Sequence, residues 1–445
     1  MISFPNRHSE LPRRIATHPV MRGWRSQSSL FKVSLATIGV AALFAMPLTR
    51  DIIAGASPTA SRTSGGSGLS VRAINGAPYG VHAPIHVLTF NGSQYSTAIG
   101  LANHEIDGGL ETPSSMCRST LGCVAAVNGD FYDVTPRGKA DPGDEVGGII
   151  QNCVLLHTPE ISHQQVDLDG HLVNQGLNWS VGVDVNGVTV PITAVNQELP
   201  MKYSNVNLHL AGTLLFTAQY ALQTPSAAGR TTYQFLAINS TTIPTTTVPS
   251  TTVPTTTIPT TTVPATTSTT IVSPSVVSPT TINTTVQLQL LGQTTNAVRV
   301  SPGHVDISAP TGSAFASLKA GNTVTMTTTS DSGCNNIGGH PILLNDGAVV
   351  SISPADIYMA QRYARTVIGW TSSGETVIMI VGGIDDRSGA TGSQLDRLLR
   401  NLHVVTALDL DGGDSTVLYV NGHIYYHTGR AERPVSTALL VVRSH

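Results

Sequence analysis

The stretch 407–422, ALDLDGGDSTVLYVNG, constrains the fold of this chain more than any other. An apolar run over 404–410 reads as a buried strand. It ends in Asp409-Leu410-Asp411, and residues two apart on a strand share a face, so the two carboxylates are expected together at the strand end. Gly412 and Gly413 let the backbone turn sharply and approach a ligand closely. Asp414, Ser415 and Thr416 add more oxygen atoms. The run 416–420 alternates as a second strand, and Asn421-Gly422 is a hairpin turn signal. Acidic groups therefore converge on a glycine-lined loop between two core strands, the usual way a rigid scaffold presents binding or catalytic groups. The competing reading is a turn whose carboxylates bond their own backbone.

The rest of the chain suits a sheet-rich frame for that loop. Only 11% of its 445 residues are charged and 5% aromatic, while 42 are Gly and 26 Pro, which favours strands and turns over a helical bundle. The net charge of −3 leaves no basic footprint, so no nucleic acid partner is expected. Arg7, Arg13, Arg14, Arg22, Arg25 and Lys32 precede an apolar run over 33–48, the pattern of an export signal. Ala54-Gly55-Ala56 fits a cleavage site, giving residues 1–56 as signal or membrane anchor. The run is shorter than the roughly 20 residues of a spanning helix, with a retained membrane tether through 33–48 as the alternative. Either way the chain is expected to be secreted or associated with the cell envelope. Its four cysteines then favour disulfides, with Cys117–Cys123 closing a short loop and Cys153–Cys334 a long one.

Residues 57–72 read as a Ser/Gly leader, and 73–239 as the first part of the folded domain. Strands are expected at 85–90, 123–128, 214–220 and 232–238. The second of these runs into Asn128-Gly129-Asp130-Phe131-Tyr132-Asp133, another strand ending in glycine and carboxylates. Residues 240–285 form a Thr/Pro-rich tract whose prolines oppose both helix and ladder, so a disordered, extended insertion is expected. Strands resume at 286–291 and 324–328, and 286–445 completes the domain. Residues 338–347 read as turn, strand, turn, with His340 in the first turn, and 375–381 as a buried strand. In 392–402, Leu395, Leu398, Leu399 and Leu402 make one helical stripe, with Ser393 as N-cap and Asp396 three residues on. The fold class is α+β, a mixed and mostly antiparallel sheet core with few helices.

The ordered set VNGDFYD, GGHPILLNDG, ARTVIGW, LDLDGGDSTVLYVNG and ERPVSTALLVV resembles the phosphodiester glycosidase family. The similarity is densest over 338–442 and reaches back to about 73. The family's NGGFF-like element falls on Asn128 to Tyr132, its ARTAIG element on Ala364 to Gly369, its LDGGGS element on Leu410 to Ser415 and its RPV element on Arg433-Pro434-Val435. Two positions depart: Asp414 replaces the third glycine, and Gly382-Gly383-Ile384-Asp385-Asp386 stands where relatives often have Asp-Gly. The resemblance implies hydrolysis of a sugar-1-phosphodiester, such as an N-acetylglucosamine-1-phosphodiester, at the anomeric C–O bond. Such a reaction needs a cation on the phosphate and carboxylates around an oxocarbenium-like centre. Arg365 is the first cation candidate, since a guanidinium can grip two phosphate oxygens. Arg433 is the second, unless it pairs with Glu432. Asp130 and Asp411 are the expected acid/base or nucleophile, in either assignment. Asn128 and Ser415 are expected to bond sugar hydroxyls, with Gly129, Gly412 and Gly413 lining the site. Asp385, Asp386, Asp409 and Asp414 are oxygen ligands of the kind Ca²⁺ takes, so a divalent cation is an expected cofactor candidate. The expected partner is a phosphodiester-linked glycan or glycopolymer. A catalytically silent carbohydrate-binding protein and a metal-dependent phosphodiesterase cutting P–O are the alternatives.

Overall fold

Every residue of the strand Thr376–Val381 is buried because both faces of its sheet are covered. Ile378 and Ile380 point into one apolar core, and Val377, Met379 and Val381 into another. That period-two division explains why the run is continuously apolar rather than alternating. The structure, a computed structural model, describes residues 68–133, 143–159, 163–197, 212–245, 281–353, 356–383 and 388–444. All of these lie in one unit, Pro58–His445.

Thr376–Val381 belongs to a seven-stranded antiparallel sheet in the order Leu69–Ile74, Ile85–Phe90, Thr376–Val381, Arg365–Thr371, Val404–Asp409, Ile342–Asn345, Ala348–Val349. A five-stranded sheet packs on one face of it, in the order His423–His427, Val417–Val420, Cys123–Asn128, Thr437–Arg443, Tyr95–Leu101. Leu88, Phe90, Ile368 and Leu408 from the first sheet meet Ile99, Val127, Leu418 and Leu439 from the second. The helix Gly392–Asn401 covers the outer face of the seven-stranded sheet with Leu395, Leu398 and Leu399. The helix Pro113–Ser119 covers the five-stranded sheet with Met116 and Cys117. The result is an α+β sandwich of helix, sheet, sheet and helix.

Two further sheets flank the sandwich. A small one pairs Val154–His157, Ile149–Gln151, Asn336–Gly339, Gln164–Asp167 and Leu172–Asn174 in that order. An eight-stranded sheet builds its own core from Val183, Phe235, Leu288, Ile307 and Phe315 among others. Cys117 is bonded to Cys123 and Cys153 to Cys334, as the sequence suggested.

Some boundaries differ from the sequence reading. The leader was expected to run to residue 72, but Leu69–Ile74 is an edge strand paired to Ile85–Phe90, because Leu69 has a core place beside Phe90 and Tyr95. The Thr/Pro tract is entered and left as paired strand: Arg230–Thr245 and Thr281–Thr294 run antiparallel out to Thr245 opposite Thr281. Threonine is a good strand former, and the proline at 244 sits near the far end of that ladder. Residues 246–280, the rest of the tract, lie outside the described residues, as do the expected signal and tether. Gly338 and Gly339 are strand rather than turn. The helix starts two residues earlier than its expected cap: Thr391 is the N-cap and Gln394 completes the capping box, so Ser393 lies inside the first turn. Among the described residues no helix is long and apolar enough to cross a membrane.

Candidate active site

Three strand ends meet beside the small sheet. Cys123–Asn128 runs into Gly129 and Asp130, Val404–Asp409 runs into Leu410 and Asp411, and Asn336–Gly339 runs into His340. The backbones are tied: Asp411 N–H donates to Gly129 O at 3.0 Å and His340 N–H to Asp409 O at 2.7 Å. Asn128 locks the knot. Its Nδ2 donates to Asp411 O at 2.5 Å, and its Oδ1 accepts from Thr366 Oγ1 at 2.6 Å. Fully buried and bonded at both ends, Asn128 positions the loop and has no free group for a sugar, contrary to the role expected of it. Gly129 lies so close to Thr437 that a Cβ there would come within 2.4 Å of its Oγ1.

Asp411 is the carboxylate that reaches outward, being only partly buried. Its Oδ1 accepts from Gly412 N at 2.8 Å. Burial pushes its carboxyl up to about 6, against the opposing pull of Ser415, the Gly412 amide and Arg433, with Asp130 adding to the rise. Ser415 is buried, and its hydroxyl acts on both Asp411 and the Tyr132 phenol. Gly412 has no room for a side chain, since a Cβ would meet Ala364 O at 2.4 Å and Tyr358 Oη at 2.6 Å. Gly413 turns the chain with φ of 59° into the short 3₁₀ turn Gly413–Ser415. Asp414 is exposed on that turn, so the departure from a third glycine projects outward.

Arg433 stands on the same side. It is half-buried, 5.9 Å over the Tyr132 ring, and its charge acts on Asp411. Among the described residues it has no ion pair. Glu432, its expected alternative partner, instead accepts from Ser114 N at 2.7 Å and Ser114 Oγ at 2.5 Å, at the first turn of Pro113–Ser119.

Arg365 is elsewhere. Its side chain is wholly buried, 3.0 Å from Asp409 Oδ2. Its remaining donors go to Ala390 O, Met359 Sδ, Tyr358 O and Gln361 O, and its guanidinium lies 4.0 Å over the Tyr358 ring. Every N–H is committed, so the expected phosphate cation is in this fold a structural ion pair. The same pairing removes Asp409 from the expected metal set; burial raises its carboxyl to about 7 despite Arg365. Asp409 and Asp411 therefore do not act together as the strand alternation suggested, because Asp409 ends the strand facing inward and Asp411 lies on the loop beyond it. Asp385 and Asp386 lie outside the described residues. Among the described residues no three acidic, His or Cys side chains are grouped to hold a metal.

Asp130 is 2% exposed. Its Oδ1 accepts from His163 Nε2 at 2.9 Å, and its Oδ2 is packed against Gly147 and Gly338, where a Cβ on either would come within 2.0 Å. His157 anchors the Gly147 loop through Nδ1, 2.9 Å from Gly147 O. Glu145, bonded by the Ser436 hydroxyl, is raised well above the ordinary carboxylate range by burial and then by Asp130. Sequence reasoning missed His163 and Glu145. His163 is one of fifteen scattered histidines with no motif; Glu145 precedes Gly147-Gly148, a signal akin to the other glycine and carboxylate pairs.

The loop sequences that build this geometry have relatives. Residues 272–442 match the family described as phosphodiester glycosidase. Over that span, well under half of the chain, the sequence is similar to that family. The match includes Arg365, Asp411 and Arg433, while Asp130 and His163 come from the part of the chain before it. No curated protein matches in sequence. Two solved structures share the fold. A hypothetical protein from Synechocystis superposes with a TM-score of 0.59 at 16% identity, over 87% of this chain and 64% of its own. An open reading frame of Burkholderia pseudomallei K96243, described as a candidate exported protein, gives 0.55 at 14% identity, over 81% of this chain and 74% of its own. The catalytic domain of zebrafish N-acetylglucosamine-1-phosphodiester alpha-N-acetylglucosaminidase, auto-inhibited by its pro-peptide, gives only 0.37 at 13% identity, over 87% of each chain, too low to bear on the fold of this one.

Proposed function

We propose that this chain is an exported hydrolase that cleaves a sugar-1-phosphodiester at the anomeric C–O bond, on cell-wall or surface glycopolymers. The observation that carries the reading is the juxtaposition of Asp411, a partly exposed carboxylate on a glycine loop, with Arg433, a cation lacking an ion pair among the described residues. In this reading the carboxylate of Asp411 faces the anomeric carbon and stabilises the positive charge that develops as the C1–O bond breaks. Arg433 holds the departing phosphate, which leaves as a stable anion and needs little protonation. Phosphodiester glycosidase similarity supports the reaction class. The export pattern and the two disulfides support an extracytoplasmic setting. The outward position of Asp414 favours a working enzyme over a silenced binder, since its carboxylate does not fill the loop.

Arg433→Ala tests the cation. A charge-assisted bond to phosphate is worth about 1.5–3 kcal/mol, so kcat/KM is expected to fall roughly 10- to 100-fold, with part of it restored by Arg433→Lys. Steady-state kinetics on an N-acetylglucosamine-1-phosphodiester reads this directly. Unchanged kcat/KM in the alanine variant would remove Arg433 from the mechanism.

A further inference from the structure

Two imidazoles stand side by side, each held by its own carboxylate. His163 Nε2 lies 2.9 Å from Asp130 Oδ1, and His340 Nε2 lies 2.8 Å from Asp356 Oδ2. The ring centroids are 6.4 Å apart and the planes tilted by 32°. Both carboxylates are fixed. Asp356 Oδ1 also accepts from Met359 N at 3.2 Å, and Asp130 fills a cradle bounded by Gly147 and Gly338. A carboxylate that accepts from Nε2 leaves Nδ1 as the ring's outward nitrogen. No described residue bonds Nδ1 of either ring. The His340 side chain is 43% exposed and that of His163 only 7%, so the pair opens to solvent on the His340 side.

We propose that His163 and His340 form a phosphate-binding pair, donating through Nδ1 to one phosphate group, with Asp130 and Asp356 as positioning residues. Two imidazoles whose ring centres lie 6.4 Å apart are near enough for one phosphate to accept from both, each through a different oxygen at about 2.8 Å. Arg365 is sealed in the core and offers the anion no donor, so the pair would act alongside Arg433, with His340 on the solvent side. The charged form is available at His163: burial disfavours it, but Asp130 outweighs burial and the ring titrates above its ordinary value. The groups facing His163 are Asp130, the His340 ring, Phe131 and Gly147; those facing His340 are Asp356 and His163. Glu145 acts on Asp130, and its own carboxyl is raised well above the ordinary range by burial, which disfavours a competing charge there. The identity of the phosphate as the leaving group rests on the sugar phosphodiester reading; the anion site itself does not.

The test uses the full chain with ¹³Cε1-labelled histidine, titrated with inorganic phosphate at pH 6, the two resonances being identified by their loss in His163→Gln and His340→Gln. Both resonances are expected to shift and saturate together. Each single variant, and Asp130→Asn, is expected to weaken phosphate roughly tenfold, the scale of one charge-assisted bond. Asp130→Asn should also move the His163 titration to lower pH, which a merely structural role would not do. Gly338→Ala, which crowds Asp130 without changing any charge, should weaken phosphate in the same way. Should His163→Gln fail to fold, the exposed His340 still carries the test. Phosphate that moves neither resonance, or binds His340→Gln as tightly as the wild type, overturns the pair. Phosphate binding without hydrolysis of any sugar phosphodiester supports the pair and counts against the substrate reading.

Discussion

Asp411→Asn is expected to lower turnover of a sugar-1-phosphodiester by roughly 10³-fold, the scale of losing a charged group that acts only in the transition state. The same substitution is expected to raise thermal stability above pH 7. Burial lifts the Asp411 carboxyl to about 6 in the folded chain from an ordinary 3.8. The folded state therefore holds that proton more tightly than the unfolded state. Its favourable contribution is present below the unfolded value and is lost as pH rises through about 6. Above that the buried charge costs about 3 kcal/mol, since each tenfold difference in proton affinity between the two states is worth about 1.4 kcal/mol. Asparagine keeps an oxygen for the Gly412 amide and removes the charge. Calorimetry at pH 7.5 and kinetics from pH 5 to 8 check both halves. The wild type should lose kcat/KM as pH falls through about 6, and the variant should lack that limb. A variant that is both active and no more stable would contradict the role and the burial together.

Arg365→Met is expected to destabilise the fold by about 3–5 kcal/mol, because it leaves the buried Asp409 carboxyl without its partner, either as an uncompensated charge or neutralised by an extra proton. That is a large share of the roughly 5–15 kcal/mol by which a domain is stable. The double variant Arg365→Met/Asp409→Leu should regain the part due to the unpartnered buried carboxyl. It should not regain everything, since Arg365 also ties Tyr358 O, Gln361 O and Ala390 O into one place. Urea unfolding of the two variants reads the difference. A stable Arg365→Met protein with a raised KM would instead return Arg365 to the phosphate.

What the sequence made legible follows from where its signals come from. Strand 376–381 and the stripe of Leu395, Leu398 and Leu399 could be read because burial imposes a period on side chains. Asn421-Gly422 could be read because both residues take positive φ, 48° and 87°, as that hairpin turn demands. The loop 410–415 was found for the same reason, its glycines being dictated by close backbone approach. Roles were harder. A guanidinium that suits phosphate suits Asp409 equally well, and nothing in ARTVIGW says which lies opposite. Likewise Asp130 and Asp411 each follow a strand beside glycine, yet one is enclosed by Gly147 and Gly338 from distant segments and the other opens outward. His163 becomes notable only when the fold brings it to Asp130. Periodicity reports the core, whereas partnership across the chain is a property of the assembled strand ends.

The most direct test of the central claim is where the water oxygen goes. The full chain is offered an N-acetylglucosamine-1-phosphodiester in ¹⁸O-labelled water, with Asp411→Asn alongside, and the products are weighed by mass spectrometry. Label at C1 of the free sugar, absent in the variant, is the predicted result and means the C–O bond breaks at the anomeric carbon. Label in the phosphate would mean P–O cleavage and would contradict the glycosidase account.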